Sequence, residues 1–266
     1  MPADDTEPAF GRRYGGLVSV PDPSPSPGST RRPRLASATT GGRRPTGSRL
    51  SSVVYDGIKE SLLEGDHEAG ERLSVEQIAQ AHGVSKQPVM DALRRLSIDG
   101  LVEIIPQVGV EVARYAPEEI DDFFELFASV ESTAAGLAAT RRTEAQLREL
   151  DTVGARIEAL THDDDPAARS HGYRVANREY HGVIHTMAHS RIIVDYAARL
   201  WDLSDFLINT GPSDLPLHSA LEQRHADHEA VRAALHEQDP DAAALHMKRH
   251  ILDTVGIIRS ERAGTA

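Results

Sequence analysis

Residues 74–96 read SVEQIAQAHGVSKQPVMDALRRL, with the punctuation of two short helices joined by a tight turn. Ser74 opens a capping box, because Gln77 stands three positions on and can return the bond. Ile78 and Ala79 lie in a helix of barely two turns, ended by His82-Gly83. Ser85 suits the N-cap of the next helix, and Pro88 falls in its first turn, where a missing N–H does no harm. Val89, Leu93 and Leu96 form the buried stripe of that helix. Two short helices across a glycine-containing turn make a helix-turn-helix.

The flanks complete a larger unit. Upstream, Leu50, Val54, Ile58 and Leu62 recur every fourth residue and form one apolar stripe, and Gly65 and Gly70 close that helix and a loop. Downstream of Gly100, Val102 and Ile104 alternate, then Pro106-Gln107-Val108-Gly109 intervenes, then Val110 and Val112 alternate again. This is a two-stranded hairpin with a Pro/Gly tip. Three helices and a hairpin predict a winged helix over residues 49–115. Its second short helix would offer Ser85, Lys86, Gln87, Met90 and Arg94 to the major groove of double-stranded DNA, and the wing tip would present Gln107 and Gly109 to a phosphate or the minor groove.

From residue 116 to 262 the pattern is helical throughout. Pro117 opens a helix carried by Ile120, Phe123, Phe124, Phe127 and an alanine-rich run to Ala139. Thr143 and Gln146 form a second capping box. After an acidic break over 162–166, helices follow from about Arg169 to His189 and from Ile192 to Asn209, the latter with Leu200, Leu203 and Leu207 inward. Gly211-Pro212 interrupts, and helices from about Leu217 to Glu237 and Pro240 to Arg262 finish the chain. Six helices with short connections predict an antiparallel bundle, so the fold class is mainly α with a small β-hairpin wing.

The charge is unevenly distributed. The chain of 266 residues carries a net charge of -12 and has no cysteine, which excludes disulfides, thiolate zinc sites and a thiol nucleophile and fits a reducing cytoplasm. Nor is there an apolar run of the ~18 residues that a membrane span needs. Residues 1–50 hold eight arginines and four acids, +4, whereas residues 51–115 hold six basic and eleven acidic side chains, -5. The basic segment also alternates proline from Pro21 to Pro27, so residues 1–48 are read as a disordered leader. Contact of its arginines with DNA phosphates or the minor groove is the alternative.

Histidines gather in the helical half. Asn177 and His181 are four apart on one helix face, and His185 continues it. His225 and His228 lie on the penultimate helix, and His246 and His250 on the last. Imidazole suits divalent zinc, nickel or manganese. Two function classes remain open on these residues alone: a ligand-responsive transcription regulator, and a metal-dependent hydrolase built on the helical histidines. The hydrolase lacks an identifiable general base, since Glu229 points about 100° away from His228 on a helix. His162-Asp163 resembles an HD phosphohydrolase pair only superficially, because it sits in an acidic loop.

The stretch from Gly70 to Leu73, then Gln77-Ile78-Ala79, Gly83 to Leu96 and Gly100-Leu101-Val102 resembles the DNA-binding domain of GntR-family regulators. Lys86, Met90 and Asp91 depart from the Arg, Arg and Glu of the family pattern. Lysine keeps a point charge and loses the bidentate fork; methionine loses charge and donors together. The helical half resembles the FCD effector domain of the FadR subfamily, through Asn177 to Ile184, His228 to Leu235 and Asp239 to His250. That resemblance implies a homodimer on a pseudo-palindromic operator, most simply a repressor. It also implies one divalent ion on Asn177, His181, His228 and His250, with Asn177 replacing the usual aspartate. A small carboxylate effector is implied near Phe127, Glu131 and His185, although Phe127 stands where the family often has arginine. A metal-free pocket for a larger acid or acyl thioester is the variant of this reading.

Overall fold

The structure, a computed structural model, describes residues 47–210, 217 and 220–264. The expected leader, up to residue 46, and the Gly211-Pro212 interruption lie outside the described residues. The apolar stripe from Leu50 to Leu62 runs along α1 (Gly47–Glu64), where Val54, Ile58 and Leu62 are buried. Ser74 caps α2 (Val75–Ala81) by accepting from the Gln77 N–H at 3.3 Å. Ser85 occupies the N-cap of α3 (Lys86–Ile98), but its hydroxyl makes no capping bond there. Val89, Leu93 and Leu96 are fully buried against α1, as the stripe requires.

The wing is a three-stranded sheet where the sequence indicated two strands. β1 (Arg72–Leu73) pairs antiparallel with β3 (Gly109–Val112), which pairs with β2 (Val102–Ile105), giving the order β1-β3-β2. Two residues are too few to show an alternating pattern, so β1 was not legible. It forms because Arg72 lies opposite Glu111 and donates to that carboxylate at 3.0 Å, while Leu73 turns inward opposite Val110. At the tip Gln107 has φ 65° after Pro106, so a non-glycine side chain holds the left-handed corner of the turn.

Among the described residues six helices follow: α4 (Pro117–Arg141), α5 (Glu144–Thr161), α6 (Pro166–Met187), α7 (Arg191–Asn209), α8 (Leu221–Glu237) and α9 (Pro240–Gly264). α4 lies along α9, and α5 packs on α6 and α8, which closes an antiparallel bundle. The alanines of α4 at 134, 135, 138 and 139 are all fully buried, so α9 can approach closely. Both halves of the Thr143/Gln146 capping box are present. α6 starts three residues before the expected Arg169, because Asp165 accepts from the Ala167 N–H and Pro166 takes the first helical position. The inward face of α7 also differs from expectation. Trp201, Ser204 and Asp205 are buried there with Leu207, while Leu200 and Leu203 are half-buried.

The winged helix and the bundle meet along α1 and the α6/α7 pair. The Asn209 amide donates to the Leu63 carbonyl at 2.8 Å, Arg174 pairs with Glu64 at 2.6 Å, and Lys59 pairs with Asp202. Arg178 joins Asp202 and Asp205 into the same network. Gly65 sits at this seam with φ +81°, and an added Cβ would lie 2.6 Å from the Asn209 carbonyl oxygen. Gly65→Ala is therefore expected to destabilise the chain by about 1–3 kcal/mol in chemical denaturation. Gly256→Ala, in a helix with open space around it, should be neutral or stabilising by up to about 1 kcal/mol.

Candidate metal centre and nucleic-acid interface

The seven residues expected to face DNA lie on two adjoining surfaces. Ser85, Lys86, Gln87 and Arg94 are exposed on α3, and Gln107 and Gly109 are exposed at the wing tip. Met90 differs: it is half-buried and packs against the core of the winged helix. Its place next to the buried Val89 and Pro88 turns it partly inward. Asp91 accepts from both Gln87 at 3.0 Å and Arg94 at 2.8 Å, which fixes two side chains two turns apart. Lys86 reaches Glu76 at 3.2 Å, a pair with both partners mostly in water and so readily exchanged for a phosphate.

The four residues expected at a metal are all buried in the bundle: Asn177 and His181 on α6, His228 on α8 and His250 on α9. The structure brings the three histidines together, with one ring nitrogen of each within 4.8 Å of the others. His250 Nε2 is 3.1 Å from His228 Nε2 and 3.3 Å from His181 Nε2. Asn177 turns its carboxamide oxygen to the Tyr173 hydroxyl, which donates to it at 3.2 Å. Among the described residues His246 is outside this cluster, and His225 lies one turn before His228 on α8, also outside it.

Proton positions follow from the partners. Glu131 on α4 is fully buried and receives three N–H donors: His181 Nδ1 at 2.8 Å, His185 Nε2 at 2.7 Å and Trp201 Nε1 at 3.1 Å. Burial alone would push its carboxyl up, but His185 and the bonds from both histidines outweigh that and bring it from 4.5 to about 2. Burial lowers His181 below its usual 6.5, although Glu131 opposes this. A full ion pair would move the two groups apart in the other sense. A carboxylate that accepts from a neutral imidazole satisfies both, and the short buried contacts support that arrangement. His181 therefore carries its proton on Nδ1 and presents a bare Nε2.

His250 arrives at the same state from the other side. The Arg224 guanidinium lies 3.0 Å from His250 Nε2 and also donates to the His250 carbonyl at 2.6 Å. Arginine can only donate, so His250 Nε2 is a lone pair and the ring proton is on Nδ1, which faces Asp227 Oδ2 at 3.5 Å. Burial first, and then Arg224 and the neighbouring imidazoles, hold His250 well below 6.5. His228 is likewise lowered by burial, and its ring stacks on Tyr180 at 4.3 Å. Two unprotonated nitrogens, that of His250 accepting from Arg224, thus lie 3.3 Å apart in the buried interior. A cation held in common by neutral imidazoles answers that arrangement, so the donor set fits a divalent ion.

Of the residues expected near an effector, Phe127 is buried edge-on against Trp201 at 5.2 Å, and His185 is held by Glu131. Arg224, Tyr173 and Trp201 were missed in the sequence. Arg224 stands four residues before His228, and Tyr173 four before Asn177, so both share a helix face with an expected ligand. That spacing was the available signal. Trp201 carried none, since it meets Glu131 from a different helix. A cavity of about 230 Å³ adjoins the site, with Tyr173, Asn177, Asp205 and, from the winged helix, Glu64 on its wall.

Fold and site define a winged-helix transcription regulator with an all-helical second domain. Residues 50–112 match the family described as bacterial regulatory proteins, gntR family, and residues 122–253 match the FCD domain. The chain thus carries a gntR-family DNA-binding domain followed by an FCD domain. The HTH-type transcriptional repressor GlaR of Escherichia coli (strain K12) is 23% identical over 215 residues, 79% of this chain and 96% of that protein. The probable D-xylose utilization operon transcriptional repressor of Paenarthrobacter nicotinovorans is 24% identical over 213 residues, 79% and 88% of the two chains. Among solved structures, E. coli McbR/YncC matches with a TM-score of 0.68 at 19% identity, covering 80% of this chain and 98% of that one. A GntR regulator from Rhodococcus sp. RHA1 matches with a TM-score of 0.64 at 20% identity, covering 79% and 97%. These relatives and domains are those of transcription regulators rather than enzymes. Among the described residues no helix is long and apolar enough to cross a membrane.

Glu131→Gln tests how far the site depends on that carboxylate. It turns an amide N–H₂ toward three N–H donors, and stability should fall by about 2–4 kcal/mol in chemical denaturation. The emission of Trp201, the only tryptophan in the sequence, should shift with it. Glu125→Gln, exposed on the same helix, should change neither.

Proposed function

We propose that the chain is a ligand-responsive transcriptional repressor. It acts as a homodimer on a pseudo-palindromic operator, since two-fold protein symmetry imposes two-fold symmetry on the site it reads. Residues 49–115 form the DNA-binding domain and residues 116–262 the effector and dimerisation domain; the arginines of residues 1–48 stand available to flanking phosphates. α3 enters the major groove with Lys86, Gln87 and Arg94, Ser85 offers a hydroxyl at its start, and Met90 makes an apolar base or sugar contact. Gln107 and Gly109 meet the backbone from the wing. The repressor names of the two relatives support the direction of regulation.

The observation that carries the sensing half is the convergence of unprotonated imidazole nitrogens of His181 and His250 beside His228. These three would hold a divalent ion of the zinc, nickel or manganese class, with Asn177 contributing at most a neutral oxygen. When bound, such an ion offers positions open to a small carboxylate effector. Glu131 fixes the tautomer of His181, and Phe127 and His185 close the apolar and polar sides of the site around it. A hydrolytic role lacks its base, because Glu131 already accepts three donors and Glu229 is engaged with Arg232. The effector changes DNA affinity only if it binds two arrangements of the bundle unequally.

Two measurements follow. His181→Ala or His250→Ala should abolish stoichiometric divalent-metal binding in elemental analysis of purified protein, while His246→Ala retains it. Equal loss in all three variants would overturn the ligand assignment. Lys86→Ala should weaken binding to an operator selected from random DNA and lower the slope of log affinity against log salt by about 1. Parent-like binding at every salt concentration would place a different helix in the groove.

A further inference from the structure

Arg224 is the one residue at the histidine cluster whose presence conflicts with a lone dication there. It is 2% exposed, yet its hydrogen bonds among the described residues go to the Tyr173 hydroxyl, the His250 carbonyl and His250 Nε2, none of them a carboxylate. A buried guanidinium without a directly paired anion is costly, and Asp227, the carboxylate at His250 Nδ1, meets it only from across the imidazole ring. Asn177 and Phe127 are neutral, and Glu131 is turned to the far side of His181. The bond to His250 Nε2 occupies the very lone pair that an ion would need. An ion and the Arg224–His250 bond therefore exclude each other. Once the ion takes the nitrogen, Arg224 is left with unmet donors beside a second positive charge.

An anion resolves both problems at once. The planar fork of arginine matches a carboxylate, and a negative group next to Arg224 screens it from the ion. The position also lies behind a cavity wall. Asn177 and Tyr173 stand on the cavity wall, Tyr173 is bonded to Asn177, and Arg224 is bonded to Tyr173 and His250. This chain of contacts runs from the cavity to the cluster.

We propose that Arg224 grips the acidic group of the effector and makes metal loading and anion loading at the histidine cluster depend on each other. The inference rests on the metal reading above. It locates the anion-recognising charge on α8, on the same face as His228.

The test is calorimetric titration of Ni²⁺ into the full chain in chloride buffer, with and without acetate as the simplest carboxylate. Acetate should tighten Ni²⁺ binding to the parent by about tenfold, within the range of ordinary coupling between sites. Arg224→Gln and Arg224→Met should bind Ni²⁺ in chloride more tightly than the parent does there, and should lose the acetate response. Should these variants fail to fold, the acetate response of the parent still decides, because Ni²⁺ binding indifferent to acetate overturns the coupling. An acetate response that survives Arg224→Gln overturns the role of Arg224 alone. Absence of Ni²⁺ binding in parent and variants alike overturns the metal reading and this inference with it.

Discussion

A carboxylate sealed from water needs hydrogen-bond donors, and Glu131 receives three, from one tryptophan and two histidines. The consequences spread from there. The Glu131–His181 bond settles which nitrogen of His181 carries the proton and which faces inward. The Trp201 bond draws α7 against α4, and the His185 bond adds a second tie to α6. Three helices of the bundle are thus pinned at one charge, and the histidine cluster inherits its geometry from them. The aliphatic packing around it, from Phe124 to the alanines of α4, supplies the stability that a buried polar centre consumes.

The site is connected to the DNA-binding half through its surroundings. Arg178 follows Asn177 in α6 and ties Asp202 and Asp205 of α7, and Asp202 is paired in turn with Lys59 of α1. Glu64 of α1 stands on the same cavity wall as Asn177. A molecule filling that cavity touches the winged helix and the bundle together. Differential contact of this kind is what allows a ligand to bias the placement of one against the other.

The winged helix was legible in the sequence because its signals are local: the stripe of Leu50 to Leu62, the Ser74 cap, Pro88 in a first turn and the alternation about Pro106-Gln107. β1 was not, because a two-residue strand exists only through its partner β3. In the bundle, the helices and the histidine trio were legible from periodicity and resemblance. Trp201 was not legible, since its role comes from side chains on other helices, and Arg224 offered only its four-residue spacing from His228. Met90 looked like a groove-facing residue on position alone; packing turns it partly inward. The proton assignments of His181 and His250 depend on Glu131 and Arg224, which are remote in sequence from the rings they fix.

The central claim is that His181, His228 and His250 present their nitrogens to one shared cation. X-ray absorption at the metal edge of the nickel-loaded full chain addresses it directly, because multiple scattering counts imidazole rings around the ion. Three imidazoles with the remaining ligands oxygen is the expected result. A coordination shell with one imidazole or none would contradict the account.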